Sequence, residues 1–211
     1  MRNLYIIGAR GYGRETYGLY KECQSVLEDV ECIGFLDDNK RALDGFAGYP
    51  PIISSVEDFV PEENDVFICA LGEPKWVKHY AEIIRRKGGH FISLISPHAH
   101  IGSGTIIGDG CHIPGWTSIS CDSKIGNHTT LGIFCDLGHD VTIGDYTHVG
   151  SHAFMGGGVQ IGECVTVHPR VSVLPHKKIG DNAILGAGSI VIKSVAPDSS
   201  VFGVPAKKIV Y

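Results

Sequence analysis

The sequence predicts two unlike halves: a small Rossmann-like parallel α/β domain over residues 1–94, then a β-solenoid. Three observations predict it. In the first half, apolar strand-like runs alternate with helically spaced segments. From Ile95 to Val191 every sixth residue is aliphatic or Met, at seventeen consecutive positions. Gly reaches 28 of 211 residues, against a usual share of about 7%, and it clusters directly after those aliphatic positions.

The elements follow in order. "NLYIIG" (3–8), "VECIGFLDD" (30–38), "DVFICALG" (65–72) and "HFISLIS" (90–96) read as strands. "YGRETYGLYKECQSVL" (12–27) and "EPKWVKHYAEIIRRKGG" (73–89) read as helices, the second ending in a Gly pair. In the second half the positions run Ile95, Ile101, Ile107, Ile113 and onward through Leu137, Ile143, Val149 and Met155. Small or β-branched residues such as Thr105, Cys111, Thr129, Cys135, Thr147, Ala153 and Ala183 stand four places later, with Lys177 as the exception. A period of six fits neither a helix nor a hairpin; it is the beat of a chain that sends one large side chain inward per short strand and then turns a corner. His168 and Leu174 stand where a small residue is usual. The expectation is a local change of surface there, with the solenoid continuing.

Composition narrows the class. Hydrophobic content of 43% and a net charge of −5 describe a globular chain and argue against nucleic-acid binding. No apolar run approaches the ~20 residues of a membrane span, and "MRNLYIIGARGYGRE" reads as no signal peptide. Seven cysteines without a CxxC pair point to reduced thiols and a cytoplasmic setting.

The repeat [I/L/V]-G-x-x-[S/T/A/V/C]-x resembles that of the hexapeptide transferases. The order "IIGARGYGRE", "GFLDDN", "CALGEP", hexapeptides, "GVPAKKI" is similar to the NeuD/PglD-type sugar acyltransferases over the whole chain. The resemblance implies a left-handed parallel β-helix with three hexapeptides per coil, so that 95–191 makes five to six coils and a column about 25–30 Å tall. It also implies a homotrimer with active sites between neighbouring prisms, and acetyl-CoA as co-substrate with no metal. The expected acceptor is a nucleotide-linked 4-amino sugar of surface glycan biosynthesis. The expected domains are 1–94 for the nucleotide-sugar, 95–195 for acyl transfer, and a tail over 196–211 that contributes to the CoA site.

Candidate site residues come from both halves. Residues 95–169 carry one basic side chain, Lys124, whereas 170–211 carry six: Arg170, Lys177, Lys178, Lys193, Lys207 and Lys208. A solvated basic tail would give the same count; the resemblance places the nucleotide end of CoA there, on Ala187, Gly188, Lys193 and Lys207, with Gly157 lower down. "IIGARGYGRE" spaces Gly8, Gly11 and Gly13 as GxxGxG, which differs from the dinucleotide fingerprint GxGxxG. Strand-to-helix placement still suits a phosphate, so Gly11, Tyr12, Gly13 and Arg14, with Asp37 and Asp38 after the second strand, are the expected substrate contacts; an ordinary tight turn with an acidic loop is the plain alternative.

"LGHDVTIG" matches the family's H-[D/E]-x-x-I-G motif, with Asp140 where some relatives carry Glu. A neutral imidazole suits removal of a proton from an amine or hydroxyl as it attacks a thioester. His139 is therefore the expected base and Asp140 its orienting partner. That pairing needs a corner-like backbone, because adjacent strand residues face opposite ways; Asp136 is the reserve partner. His148 matches the position near the acetyl carbonyl. Two other readings stay open: O-acetylation of sialic acid or another sugar hydroxyl, and a zinc hydratase like the γ-carbonic anhydrases using His112, His148 and His152. The latter is disfavoured because His148 and His152 are spaced HxxxH, not HxxxxH.

Overall fold

A computed structural model describes residues 1–209; positions 210 and 211 of the expected tail lie outside the described residues. The first half contains β1 (Arg2–Ile7), α1 (Gly11–Cys23), β2 (Val30–Leu36), β3 (Ile52–Ser54), β4 (Asp65–Cys69), α2 (Pro74–Arg86) and β5 (His90–Phe91). They form an all-parallel sheet of order β3-β2-β1-β4-β5. Along β1, Leu4 and Ile6 enter the core beside α1, whereas Tyr5 and Ile7 enter the core beside α2. This two-sided burial explains why the strands read as apolar runs without alternation. The order reverses between β1 and β4, so their following loops meet at the carboxyl edge, where open α/β sheets bind ligands.

Three local expectations are revised. The first helix ends at Cys23, and β3 is an edge strand that no pattern had marked. The run 90–96 splits: His90–Phe91 pairs with β4, while Leu94–Ile95 pairs with His112–Ile113 as the first solenoid rung. Phe91 packs beside α2 and Leu94 beside α1, so the chain crosses between cores at that point.

From Leu94 the chain winds a left-handed parallel β-helix with three faces. The first face stacks Leu94–Ile95, His112–Ile113, Thr130–Leu131, His148–Val149, Thr166–Val167 and Ile184–Leu185; the second includes Ser118–Ile119, Asp136–Leu137, Phe154–Met155 and Ile190–Val191; the third includes Lys124–Ile125, Thr142–Ile143, Gln160–Ile161 and Lys178–Ile179. Each rung pairs with the residue 18 places on, as Ser118 with Asp136. Ile113, Leu137, Val149 and Met155 form the core. Gly follows Leu137, Val149 and Met155 because the coils nearly touch: a Cβ on Gly138 would lie 2.8 Å from the Gly157 nitrogen. The small residues satisfy the next coil, with Thr129 donating to the Gly144 carbonyl at 3.1 Å and Thr147 to that of Gly162 at 2.8 Å. All seven cysteines are free thiols, and burial pushes Cys111 and Cys135 up to about 11.

Corners turn through left-handed backbone, at φ 58° for both Asp140 and Tyr146 and 60° for His152. Such a conformation costs a non-Gly residue about 1–2 kcal/mol. Hydrogen bonds to the preceding coil hold it, from the Asp140, Tyr146 and His152 N–H to the carbonyls of Cys121, Asn127 and Ile133 at 3.1, 2.8 and 3.0 Å. The rungs continue past His168, Leu174 and Lys177. They also continue beyond residue 195: Ser200–Phe202 pairs with Ile184–Leu185, and Lys207–Lys208 folds back antiparallel on it. The segment expected as a tail is, over its described part, a cap on the first face.

Two pairs of contacts, one from each helix, dock the first half on the prism. From α1, the Tyr12 hydroxyl donates to Thr130 Oγ1 at 3.3 Å, and Thr16 Oγ1 meets His112 Nε2 at 3.2 Å. From α2, Lys78 pairs with Glu163 at 2.6 Å and Arg85 donates to the Tyr146 hydroxyl at 3.2 Å. Between these helices His128 is 2% exposed, parallel to Tyr146 at 5.2 Å and edge-on to Phe91 at 4.5 Å, and neither ring nitrogen has a partner. Burial, then the Arg85 charge, lowers its pKa to about 4. The unfolded chain takes up this proton near pH 6.5 and the folded chain only near 4, so this part of the stability is present above 6.5 and is lost as pH falls toward 4. A His128→Phe variant, which keeps the stack, is expected to show a flatter denaturation midpoint between pH 6.5 and 4; parallel curves for the two proteins would contradict this assignment.

Candidate active site

Asp140 lies at a left-handed corner, and this brings two adjacent side chains together: His139 Nδ1 lies 2.6 Å from Asp140 Oδ2. A carboxylate only accepts, so Nδ1 carries the hydrogen and Nε2 keeps its lone pair. The shorter Asp arm makes this contact; Asp136 makes no hydrogen bond to the ring among the described residues. Both partners are more than 60% exposed at the side chain, on the corner between the second and third faces. A Cβ on Gly157, one coil above, would lie 2.6 Å from His139 Nε2, so only Gly leaves the ring its position.

Gly157 offers a second feature. At the equivalent position of another corner, the Asn127 and Glu163 N–H groups donate to the Asp145 and Asp181 carboxylates at 2.7 and 2.8 Å. Above Gly157 stands Pro175, and the Gly157 N–H has no protein acceptor among the described residues. Lys193 continues the same column, three coils above His139, or about 14 Å at 4.8 Å per coil. There Lys193, Lys207 and Lys208 line a cleft of about 470 Å³.

His148 stands elsewhere. It follows His139 by nine residues, half of one coil, and therefore sits on the first face, opposite the His139 corner. Its ring is half-buried, Nδ1 is unpartnered, and burial with nearby His168 lowers its pKa, keeping it neutral. It lines a cleft of about 320 Å³ between α1 and the first face, with Tyr12, Glu15, His112, Ile133 and Pro169. Ala187 and Gly188 stand exposed on the corner between the first and second faces, Gly188 at φ 69°. One chain thus holds the expected base and CoA residues in two separate sets: the base His139 with Gly157 and Lys193 on one corner, His148, Ala187 and Gly188 across the prism. His112 and His148 flank Thr130 on the first face, and His152 packs on Phe134 at the next corner. With Nε2 of His112 held by Thr16, the chain does not gather the three histidines of the hydratase reading.

A larger cavity of about 610 Å³ lies at the carboxyl edge of the sheet, between the loops after β1 and β4. Tyr12, Asp37 and Asp38 line it, together with Gly8, Trp76 and Tyr80. Asp37 accepts from the Ala9 and Asn39 N–H groups, each at 2.8 Å, and so shapes the rim. Gly11, Gly13 and Arg14 do not line it, which corrects those expectations. Gly13 sits against the Gly8 carbonyl and allows the helix to approach the strand; Arg14 stacks 3.6 Å from the Phe46 ring; Gly11 is exposed. Trp76 was missed by sequence reasoning, although its place in the first turn after β4 marks the switch-point edge. Glu15 and Thr16 were missed too, though the Tyr12, Glu15, Thr16, Leu19 spacing marks one helix face.

The architecture is a doubly wound parallel sheet followed by a hexapeptide-repeat column that carries the histidine corner. Residues 3–84 match the PglD N-terminal domain model, and residues 122–157 match that of the bacterial transferase hexapeptide (six repeats). A UDP-N-acetylbacillosamine N-acetyltransferase of Bacillus subtilis is 30% identical over 114 residues, which is 52% of this chain and 50% of the relative, so the match spans about half that relative's length. A solved mutant of perosamine N-acetyltransferase from Caulobacter crescentus, in complex with CoA and GDP-perosamine, superposes at TM-score 0.89 with 21% identity over 100% of this chain and 98% of its own. The acetyltransferase domain of PglB from Neisseria gonorrhoeae, with acetyl coenzyme A, gives 0.87 at 22% identity over 99% of each chain. The chain thus joins a PglD-type N-terminal domain to bacterial transferase hexapeptide repeats.

Substitution Gly157→Ala is expected to push the His139 ring off Asp140. In ¹⁵N spectra the Nδ1 signal of His139 should leave the pyrrole-type range it holds in the parent protein; an unchanged signal would show that the glycine is not needed there.

Proposed function

We propose that the chain is an acetyl-CoA-dependent acetyltransferase acting on the amino group of a nucleotide-linked 4-amino sugar. The observation that carries this reading is the His139 corner: an imidazole with its Nδ1 hydrogen held by Asp140, an open Nε2, and the free Gly157 N–H one coil above. Support comes from relatives described as N-acetyltransferases, one of them with CoA and GDP-perosamine bound. The acetyl thioester supplies an activated acyl carbon. His139 Nε2 takes the proton of the attacking nitrogen as the C–N bond forms, and Asp140 stabilises the imidazolium. The Gly157 N–H and the neutral His148 ring donate toward the developing oxyanion. The C–S bond then breaks and the thiolate receives the proton from Nε2.

His139 and His148 of one chain lie on opposite sides of the prism, so we infer that neighbouring copies complete each site, most simply in a homotrimer. The Lys193, Lys207 and Lys208 cleft suits the phosphates of CoA, and the cavity of Tyr12, Asp38, Trp76 and Tyr80 suits the nucleotide. Reduced thiols and a CoA co-substrate fit a cytoplasmic setting; no helix among the described residues is long and apolar enough to cross a membrane.

The test is acetyl-CoA-dependent thiol release with UDP-, GDP- and dTDP-linked 4-amino sugars, with sialic acid as the hydroxyl acceptor. One amino sugar should be turned over, and His139→Ala should lower kcat by about 10²–10⁴ while leaving nucleotide-sugar affinity intact. A near-normal rate in that variant would overturn the base assignment. Turnover of the hydroxyl acceptor alone would overturn the amine assignment.

A further inference from the structure

Trp76 is the largest apolar side chain that the first half leaves open. It is 46% exposed, sits in the first turn of α2, and lines the cavity at the carboxyl edge of the sheet. An indole is highly buried in most folds, so an open one at a cavity wall calls for an occupant.

The neighbours of the ring hold it in place. Lys75, paired with Glu73 at 2.9 Å, puts its ammonium 5.5 Å from the indole centroid, over one face. His79 stands nearly perpendicular to the ring at 5.7 Å, and Tyr80, one turn on, lies 6.3 Å away at 32°. The Tyr80 hydroxyl is in turn 3.5 Å from Asp38 Oδ2. Trp76 and Tyr80 thereby make a wall of two aromatic rings, with Leu36, Val56 and Ala70 as further apolar lining. Gly72 keeps the approach to this wall open. Its backbone lies outside the left-handed region and a Cβ there would meet nothing within 4 Å, so neither strain nor packing asks for glycine at that point.

The cavity also has a direction. Tyr12 lines both this cavity and the cleft beside His148, so the reacting end of an acceptor belongs on that side. The turn after β1, with Gly8 and Arg10, suits a charged middle section. What remains is the wall after β4, which offers a flat apolar surface. A nucleobase is the part of a nucleotide-sugar that presents a π-face, and stacking on an aromatic side chain needs no particular edge pattern. We propose that the Trp76 indole is the stacking platform for the nucleobase of the acceptor. This rests on the nucleotide-sugar reading above and gives the base a named contact that lies away from the reacting nitrogen.

The experiment uses the full chain. Dissociation constants for GDP, UDP, dTDP and coenzyme A are measured in the parent protein, Trp76→Ala and Trp76→Phe. Trp76→Ala should weaken the preferred nucleotide about tenfold or more, on the scale of one base stacked on an aromatic ring, and coenzyme A by less than about twofold. Trp76→Phe should recover part of the loss, and GDP should lose more than UDP because a purine covers more of the indole. The chain's other tryptophan, Trp116, stacks on His98 at a prism corner. In Trp116→Phe the remaining emission is that of Trp76, and the nucleotide should quench it. In turnover, KM for the nucleotide-sugar should rise in Trp76→Ala while kcat holds, as for a contact made equally in the ground and transition states. Unchanged nucleotide affinity in Trp76→Ala, equal weakening of coenzyme A, or unchanged Trp76 emission at saturation would overturn the role of Trp76 and leave acyl transfer standing. A parent protein that binds none of the three nucleotides would overturn the nucleotide-linked reading itself.

Discussion

Stacking of coils at a repeat of 18 residues is the constraint on which everything else depends. Corner residues such as Asp140, Tyr146, His152 and Cys164 donate their N–H to the coil before, and each glycine after a core aliphatic lets the next coil come within contact distance. A side chain's place around the prism is then set by its position modulo 18, and its height by the number of coils. His139, Gly157 and Lys193 share one corner for this reason, and His148 stands across the prism for the same reason. A chain of weaker periodicity would have left these groups on loops, where a proton-transfer geometry is harder to hold.

The first half adds what the column lacks. The prism has no inserted loop with which to recognise an acceptor, so the α/β sheet supplies a cavity at its switch point and α1 supplies a wall for the cleft beside His148. Tyr12 lines both, and its hydroxyl is tied to Thr130 on the prism. The docking contacts of Lys78, Arg85 and His128 fix α2 on the neighbouring corner. The sheet cavity and the cleft on the first face are thereby held at a constant offset, which is what preorganisation requires.

Much of this was legible in the amino-acid order because the solenoid is read locally. A six-residue beat needs no knowledge of distant contacts, and the His139–Asp140 pair is adjacent in sequence, its geometry set by one left-handed residue. The opposition of His139 and His148 is also encoded, since nine is half of 18, but it emerges only once the coil length is fixed. The first half was less legible. Arg14 had the look of a phosphate ligand, yet it stacks on Phe46, a partner 32 positions away that no local pattern announces. Gly13 is a glycine for the approach of helix to strand, and not for a ligand. Ile52–Ser54 is too short to carry a period, and the split of 90–96 reflects two separate cores competing for Phe91 and Leu94.

The central claim is that each site draws its imidazole base from one copy and the His148 ring that assists the Gly157 N–H at the oxyanion from another. Mixing the inactive His139→Ala and His148→Ala proteins under conditions that exchange subunits tests it most directly. Random assembly of a cyclic trimer pairs the two intact histidines at about one interface in four, so acetyl transfer should return to roughly a quarter of the parent rate. Mixtures that stay as inactive as their components, despite shown subunit exchange, would contradict the account.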